Sequence, residues 1–250
     1  MTNPASEIRV EADGAIVTIT IDRDHKRNSL TADVCREIAD AVEAAAEVPE
    51  QRVILLRGEG RAFCAGADLS GQHHENSFHE QLRRMLRTIE ASRLVVIADV
   101  QGPAVGAGMQ LAMAADLRVV GERGWFMIPP VKLGIAVDAW TIRRVRVLVG
   151  GARARTILLA AERMDQKAAR GCGLASYLGG PDKAEEVALR VATYAPLSLA
   201  YHKAVLNDDE THSPLKDDQQ ELYDTVWASE DAAEASKARA EKREPNFIGK

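Results

Sequence analysis

Short apolar runs alternate with amphipathic stretches along the first half of the chain. Ile8–Ala12 and Ala15–Asp22 flank the turn pair Asp13-Gly14, which predicts two strands joined as a hairpin. Thr31 is placed to cap a helix whose apolar face is Val34, Ile38, Ala41, Val42 and Ala45. Arg52–Gly58 contains the run Val-Ile-Leu-Leu and predicts a buried strand. A glycine-rich loop follows over Gly58–Gly71, then a charged helix from about Glu75 to Ala91. Leu94–Val100 predicts another buried strand, ended by Gln101-Gly102-Pro103; Gly106–Ala115 reads as a helix and Leu117–Val120 as a strand. Strand and helix in alternation predict an α/β layer with parallel strands.

The second half is different. Asp138–Val149, Ala152–Ala161 and Gln166–Arg170 predict helices, broken by Gly150-Gly151 and Gly171, and Leu174–Leu178 is the one further strand in this reading. From Lys183 onward everything predicts helix, punctuated by Pro196 and Pro214, with Ser229 capping a last helix to about Arg243. The organisation expected is an α/β core over 1–194 and a C-terminal helical part over 195–250.

Composition narrows the class. Of 250 residues, 46% are hydrophobic and 28% charged, as in an ordinary globular protein with a sizeable core. A net charge of −5 argues against a general nucleic-acid binder, which needs a basic stripe. Three cysteines, Cys35, Cys64 and Cys172, make no disulfide framework and suit a reducing cytoplasm. The polar start of the chain is no signal peptide, and no apolar run approaches the ~20 residues of a membrane span. A soluble cytoplasmic protein is expected.

Several catalytic signatures are missing. There is no G-x-S-x-G elbow and no P-loop, and Gly106-Ala-Gly108 fails the dinucleotide fingerprint at Leu111. His74-Glu75 and His79 resemble a zinc helix, but five residues turn a helix by about 140° past a full turn, so the two imidazoles do not share a face. The cysteines lack paired ligand spacing. No metal is expected.

Two segments ask for more than packing. Gly60–Leu69 (Gly-Arg-Ala-Phe-Cys-Ala-Gly-Ala-Asp-Leu) and Gly102–Leu111 (Gly-Pro-Ala-Val-Gly-Ala-Gly-Met-Gln-Leu) each follow a buried strand. Strand ends feeding small-residue loops are where open α/β folds hold ligands. Small residues bring a ligand atom close to the backbone, and the second loop adds the positive end of a helix dipole. Converging on one oxygen, two such loops would make an oxyanion hole; singly, each could equally serve tight turns and close helix–sheet packing.

These residues, in this order, resemble the crotonase superfamily, the enoyl-CoA hydratase/isomerase family, over essentially the whole chain. The resemblance also rests on Lys26-Arg27-Asn28-Ser29-Leu30, Pro129–Gly134, Leu148-Val-Gly150 and Glu241–Phe247. Cys64–Gly71, Asp116–Val120 and Leu206–Asp209 are similar to a mycobacterial, acyl-CoA-binding branch tied to mycolic acid synthesis. The resemblance implies a ClpP/crotonase-like spiral of ββα turns with a helical trimerisation part. It implies a homotrimer or dimer of trimers, and an acyl-CoA or enoyl-CoA ligand with no separate cofactor. By position, the thioester carbonyl would meet the N–H groups of Ala67 and Ala107. CoA would lie near Lys26, Arg27, Ala65, Asp68 and Leu69, and Lys242 and Phe247 would reach a CoA, often the neighbouring subunit's. Gln110, Pro130, Ile135 and Trp140 would line the acyl pocket. Lys26 and Arg27 also read simply as surface charges, and Trp140 as core.

One departure matters. Family hydratases use two glutamates, and this chain has Gln110 and Pro130 at those positions. An amide does not titrate usefully, and proline has no polar side chain. General acid–base catalysis contributes roughly 10²–10⁴-fold, so weak or absent hydration is expected. Asp138 falls where dienoyl-CoA isomerase relatives keep an acid; it equally fits a helix N-cap, and one residue can do both. Three outcomes are open: a thioester-binding protein, a lyase or isomerase working through Asp138, or a scaffold.

Overall fold

The computed structural model describes residues 6–69 and 75–249. The strands are β1 (Ile8–Asp13), β2 (Ile16–Ile21), β3 (Val53–Gly58), β4 (Val95–Val100), β5 (Pro103–Val105), β6 (Leu117–Val120), β7 (Trp125–Met127), β8 (Met164–Asp165) and β9 (Tyr177–Leu178). The helices are α1 (Ala32–Glu47), α2 (Glu75–Ala91), α3 (Ala107–Ala114), α4 (Ala139–Val149), α5 (Gly151–Leu159), α6 (Gln166–Cys172), α7 (Pro181–Ala192), α8 (Pro196–Leu206), α9 (Asp217–Ala228) and α10 (Glu230–Ala240). Short 3-10 turns cover Asp24–Lys26 and Pro130–Lys132.

The fold divides into two compact units, Met1–Phe126 with Met164–Asp209, and Met127–Arg163 with Glu210–Lys250. The units interleave in sequence, each drawing on two separate stretches of chain.

In the first unit a six-stranded sheet runs β1-β2-β3-β4-β6-β9; only the β1–β2 hairpin is antiparallel. The parallel strands need both faces covered, and β4 is buried along its whole length. Val53, Leu55, Val95, Ile97 and Val119 pack with Ala184, Val187, Ala188 and Val191 of α7. Ile54, Leu56, Val96 and Ala98 turn to the opposite face. The Thr31 side chain caps α1 by accepting from the Val34 N–H, as its place in the sequence predicts. A second sheet, β5-β7-β8, was not among the predicted elements. Its strands are two or three residues long, too short for periodicity to register.

The outward face of α8 carries exposed Leu197, Tyr201, Val205 and Leu206. Its inward face carries one buried lysine. Lys203 Nζ donates to the carbonyls of Ile89 and Leu94 at 2.8 Å each and pairs with Asp116 at 2.9 Å. Asn207 adds a bond to the Glu90 carbonyl. Residues of α8 and just beyond thus hold the C-terminal end of α2.

In the second unit α10 stops at Ala240, short of the predicted Arg243, because Lys242 adopts a left-handed φ of 55° and turns the chain back. Arg243 then pairs with Glu234, whose carboxylate also accepts the Asn246 N–H at 2.9 Å. Those bonds depress the Glu234 pKa to about 2. A depressed carboxylate favours the docked tail above its free pKa of about 4.3, and the contribution fades as pH falls through the folded value. Exchange of the Asn246 amide is therefore expected to accelerate as pH drops from about 4 to about 2, after correction for intrinsic rates. A protection factor flat across that range would contradict the assignment.

Candidate functional site

The two glycine-rich loops lie side by side in the first unit, joined by backbone. Cys64 N–H donates to the Pro103 carbonyl and Val105 N–H to the Cys64 carbonyl, both at 3.0 Å. The approach needs glycine at two places. A Cβ on Gly108 would stand 2.1 Å from the Cys64 oxygen. Gly66 has φ +103°, and a Cβ there would stand 2.7 Å from the Val105 oxygen and 3.7 Å from the Ala107 nitrogen. Gly66 therefore lies directly beside the first residue of α3.

The first loop is pinned on its other edge. Leu30 N–H donates to the Gly66 carbonyl and Asp68 N–H to the Leu30 carbonyl, each at 2.8 Å. In this bridge Ala67 is the central residue, so its own N–H points away from Leu30. Ala107 opens α3, where an N–H has no partner in its own helix. Neither amide donates to any group among the described residues. Two free N–H groups on adjoining loops, one at a helix N-terminus, favour an oxygen carrying negative charge.

Buried polar side chains fix these loops, and sequence reasoning missed their part. Asn28, fully buried with φ 57°, accepts from the Arg23 N–H at 3.0 Å and donates to the Glu59 and Ala62 carbonyls at 2.8 and 2.7 Å. Its short amide suits a left-handed residue that must bond locally. The Arg23 guanidinium, 6% exposed, reaches Asp68 at 3.0 Å and Glu7 at 2.6 Å and bonds both the carbonyl and the hydroxyl of Ser29. Burial opposes its charge, but the two carboxylates outweigh that and its pKa ends above the usual arginine value. At the second loop, Gln101 donates to Asp99 at 2.6 Å and to the Gly179 carbonyl at 3.2 Å. Asp99 lies 3.5 Å from Arg57, and burial raises its pKa. The only signal for these roles was polar residues beside buried strands, which also describes ordinary surface positions.

The other expected residues fall as follows. Lys26 and Arg27 are exposed at the 3-10 turn before the first loop, and Ala65 N–H donates to the Arg27 carbonyl at 3.0 Å. Asp68, expected beside CoA, turns its carboxylate into the protein toward Arg23. Leu69 is 61% exposed. Gln110 is buried on α3. In the second unit Pro130 is buried, and its carbonyl accepts from the Ile135 N–H at 3.2 Å. Asp138 does cap α4, accepting from the Thr141 N–H at 2.8 Å. Trp140 stacks on His212 with ring centres 6.2 Å apart. Lys242 and Phe247 belong to the tail that folds back along α10. His74 lies outside the described residues. Among the described residues no group of three or more His, Cys, Asp or Glu could hold a metal, and no helix is long and apolar enough to cross a membrane. Burial pushes the Cys64 thiol up to about 12, which leaves it protonated and a poor nucleophile. Two surface clefts of about 570 Å³ are lined by other residues, one along α9 and one by Gln101, Arg123 and Gly179 among others.

Comparison with known proteins gives the family and the fold. A family model described as enoyl-CoA hydratase/isomerase matches residues 11–250. A probable enoyl-CoA hydratase, echA6, of Mycobacterium tuberculosis is 41% identical over 94% of this chain and 96% of its own. The 2,3-dehydroadipyl-CoA hydratase of Escherichia coli is 29% identical over 98% of this chain and all of its own. The crystal structure of an enoyl-CoA hydratase from Mycobacterium avium subsp. paratuberculosis superposes with a TM-score of 0.85 at 30% identity, over 98% of this chain and all of that one. The backbone is thus the crotonase fold expected from the motifs.

Proposed function

Because this chain belongs to the enoyl-CoA hydratase/isomerase family, we propose that it binds acyl-CoA thioesters and hydrates enoyl thioesters weakly or not at all. One observation carries the reading: the N–H groups of Ala67 and Ala107, on adjoining loops, have no acceptor among the described residues; the resemblance adds Gln110 and Pro130 where family hydratases carry glutamates. The thioester oxygen accepts from both amides, and the dipole of α3 favours charge gathering on it. No side chain at 110 or 130 can take a proton from water and deliver one to carbon. Lys26 and Arg27, exposed beside the first loop, attract the CoA phosphates. Lys242 and Phe247, in the C-terminal tail, reach a CoA. No metal or further cofactor takes part, and the protein works in the cytoplasm on fatty acyl thioesters. The bare apolar face of α8 is buried in a trimer or a dimer of trimers.

The deciding experiment runs calorimetry with short- and long-chain acyl-CoAs beside a crotonyl-CoA hydration assay on one sample. Binding is expected, with hydration at least about 10²-fold below a glutamate-bearing hydratase of the family. Brisk hydration would refute the weak-hydratase reading, and no affinity for any acyl-CoA would favour a scaffold.

A second reading has Asp138 as acid or base. One oxygen caps α4, and the other has no partner among the described residues. Asp138→Asn keeps a cap and removes the titration, so turnover of enoyl or dienoyl thioesters should fall sharply. Unchanged turnover would exclude the residue.

A further inference from the structure

Arg23 is unlike the other arginines of the first loop region. Arg27 and Arg61 are exposed, whereas Arg23 is 6% exposed and turns its guanidinium into the protein. Its Nη2 meets Asp68 at 3.0 Å, its Nη1 bonds the carbonyl and hydroxyl of Ser29, and its Nε meets Glu7 at 2.6 Å. Ser29 precedes Leu30, and Asp68 follows Ala67. Leu30 and Ala67 are the two central residues of the bridge that aims the Ala67 N–H. One rigid fork therefore holds both strands of that bridge from the side, one through a carbonyl and the other through a carboxylate.

We infer that Arg23 is a positioning residue for the thioester-carbonyl site, setting the direction of the Ala67 N–H by clamping Asp68 to Ser29, with Asp68 itself a clamp rather than a CoA contact. The inference rests on the proposed reading that this N–H receives a thioester oxygen. The backbone alone does not complete the job. The bridge at Ala67 is isolated, with one bond on each side and no strand continuing it, so it resists twisting weakly. A bidentate guanidinium resists twisting because its donors lie in one plane; lysine, a point charge with rotatable donors, does not. Since 1 Å of misplacement can cost roughly 10²-fold in a catalytic step, a clamp next to the donor matters.

The test uses cinnamoyl-CoA, a conjugated thioester whose absorption moves to the red as its carbonyl is polarised. The intact chain is titrated with it, alongside Asp68→Asn, Arg23→Lys and Glu7→Gln, reading both the spectral shift and Kd. In the parent chain a red shift is expected on binding. In Asp68→Asn the shift should fall to half or less while Kd changes by no more than about threefold, because CoA contacts elsewhere persist. Arg23→Lys should do the same. Glu7→Gln leaves the Arg23–Asp68–Ser29 clamp in place and should keep the full shift. If Arg23→Lys does not fold, Asp68→Asn, a near-isosteric change, decides alone. A full shift in Asp68→Asn overturns the inference while leaving the binding reading intact. An equal loss in Glu7→Gln also overturns it, because general loosening then explains the result. Loss of affinity in Asp68→Asn with the shift preserved at saturation restores Asp68 as a CoA contact and refutes the clamp. A parent chain that binds without any shift removes the carbonyl reading and the inference together.

Discussion

Gly108→Ala is expected to lower stability by about 3 kcal/mol and acyl-CoA affinity by about tenfold or more. The added Cβ would stand 2.1 Å from the Cys64 oxygen and 2.8 Å from the Cys64 carbonyl carbon, and neither is a side-chain end that can swing aside. Relief requires α3 to retreat from the first loop by about an ångström. Overpacking of that kind typically costs 1–3 kcal/mol, and here both loops are also bonded across Cys64–Ala104, so strain is not easily spread. The same retreat carries the Ala107 N–H away from the Gly66–Ala67 backbone. Urea unfolding measures the first effect and calorimetry with an acyl-CoA the second. Wild-type values for both would mean that the loops are not held as described.

Lys203→Met is expected to cost about 3–5 kcal/mol, the usual range for breaking a buried charge pair from one side. Lys203 is 4% exposed at its side chain, and three acceptors converge on its ammonium. Its loss leaves the Asp116 carboxylate, 18% exposed, with the Val96 N–H at 2.7 Å as its remaining partner among the described residues. It also leaves the Ile89 and Leu94 carbonyls without this donor. Much of the cost should be the stranded carboxylate, so adding Asp116→Asn should recover part of it, in a cycle that reads their coupling. A single variant within about 0.5 kcal/mol of wild type would show that the lysine is not buried as a charged group.

The elements legible in the sequence were those with a period to read. The amphipathic face of α1 and the unbroken apolar runs of β3 and β4 are long enough to declare themselves. β5, β7 and β8 owe their existence to non-local pairing, which no window of neighbouring residues reports. At the candidate site, glycines marked the loops because their close approach leaves a compositional trace. The residues aiming those loops left none: Arg23 at a strand end reads as solvent-facing until the fold brings Asp68 and Ser29 to it. Asp68 was legible as a member of a motif, yet which way its carboxylate turns depends on a partner 45 positions away. The same holds for Asp138, where the cap on α4 is local and readable, while any acid–base role depends on what binds there.

Two buried thiols, Cys64 in the first loop and Cys35 on α1, can report on the opening of that loop. Cys35 and Cys64 are fully buried, and burial raises both pKa values, so the reactive anion is scarce as well as sheltered. An alkylating reagent should reach them only during transient excursions of the surrounding backbone. Cys172, which is only partly buried, should label first. The later, slower modification would time how often the floor of the first loop comes apart.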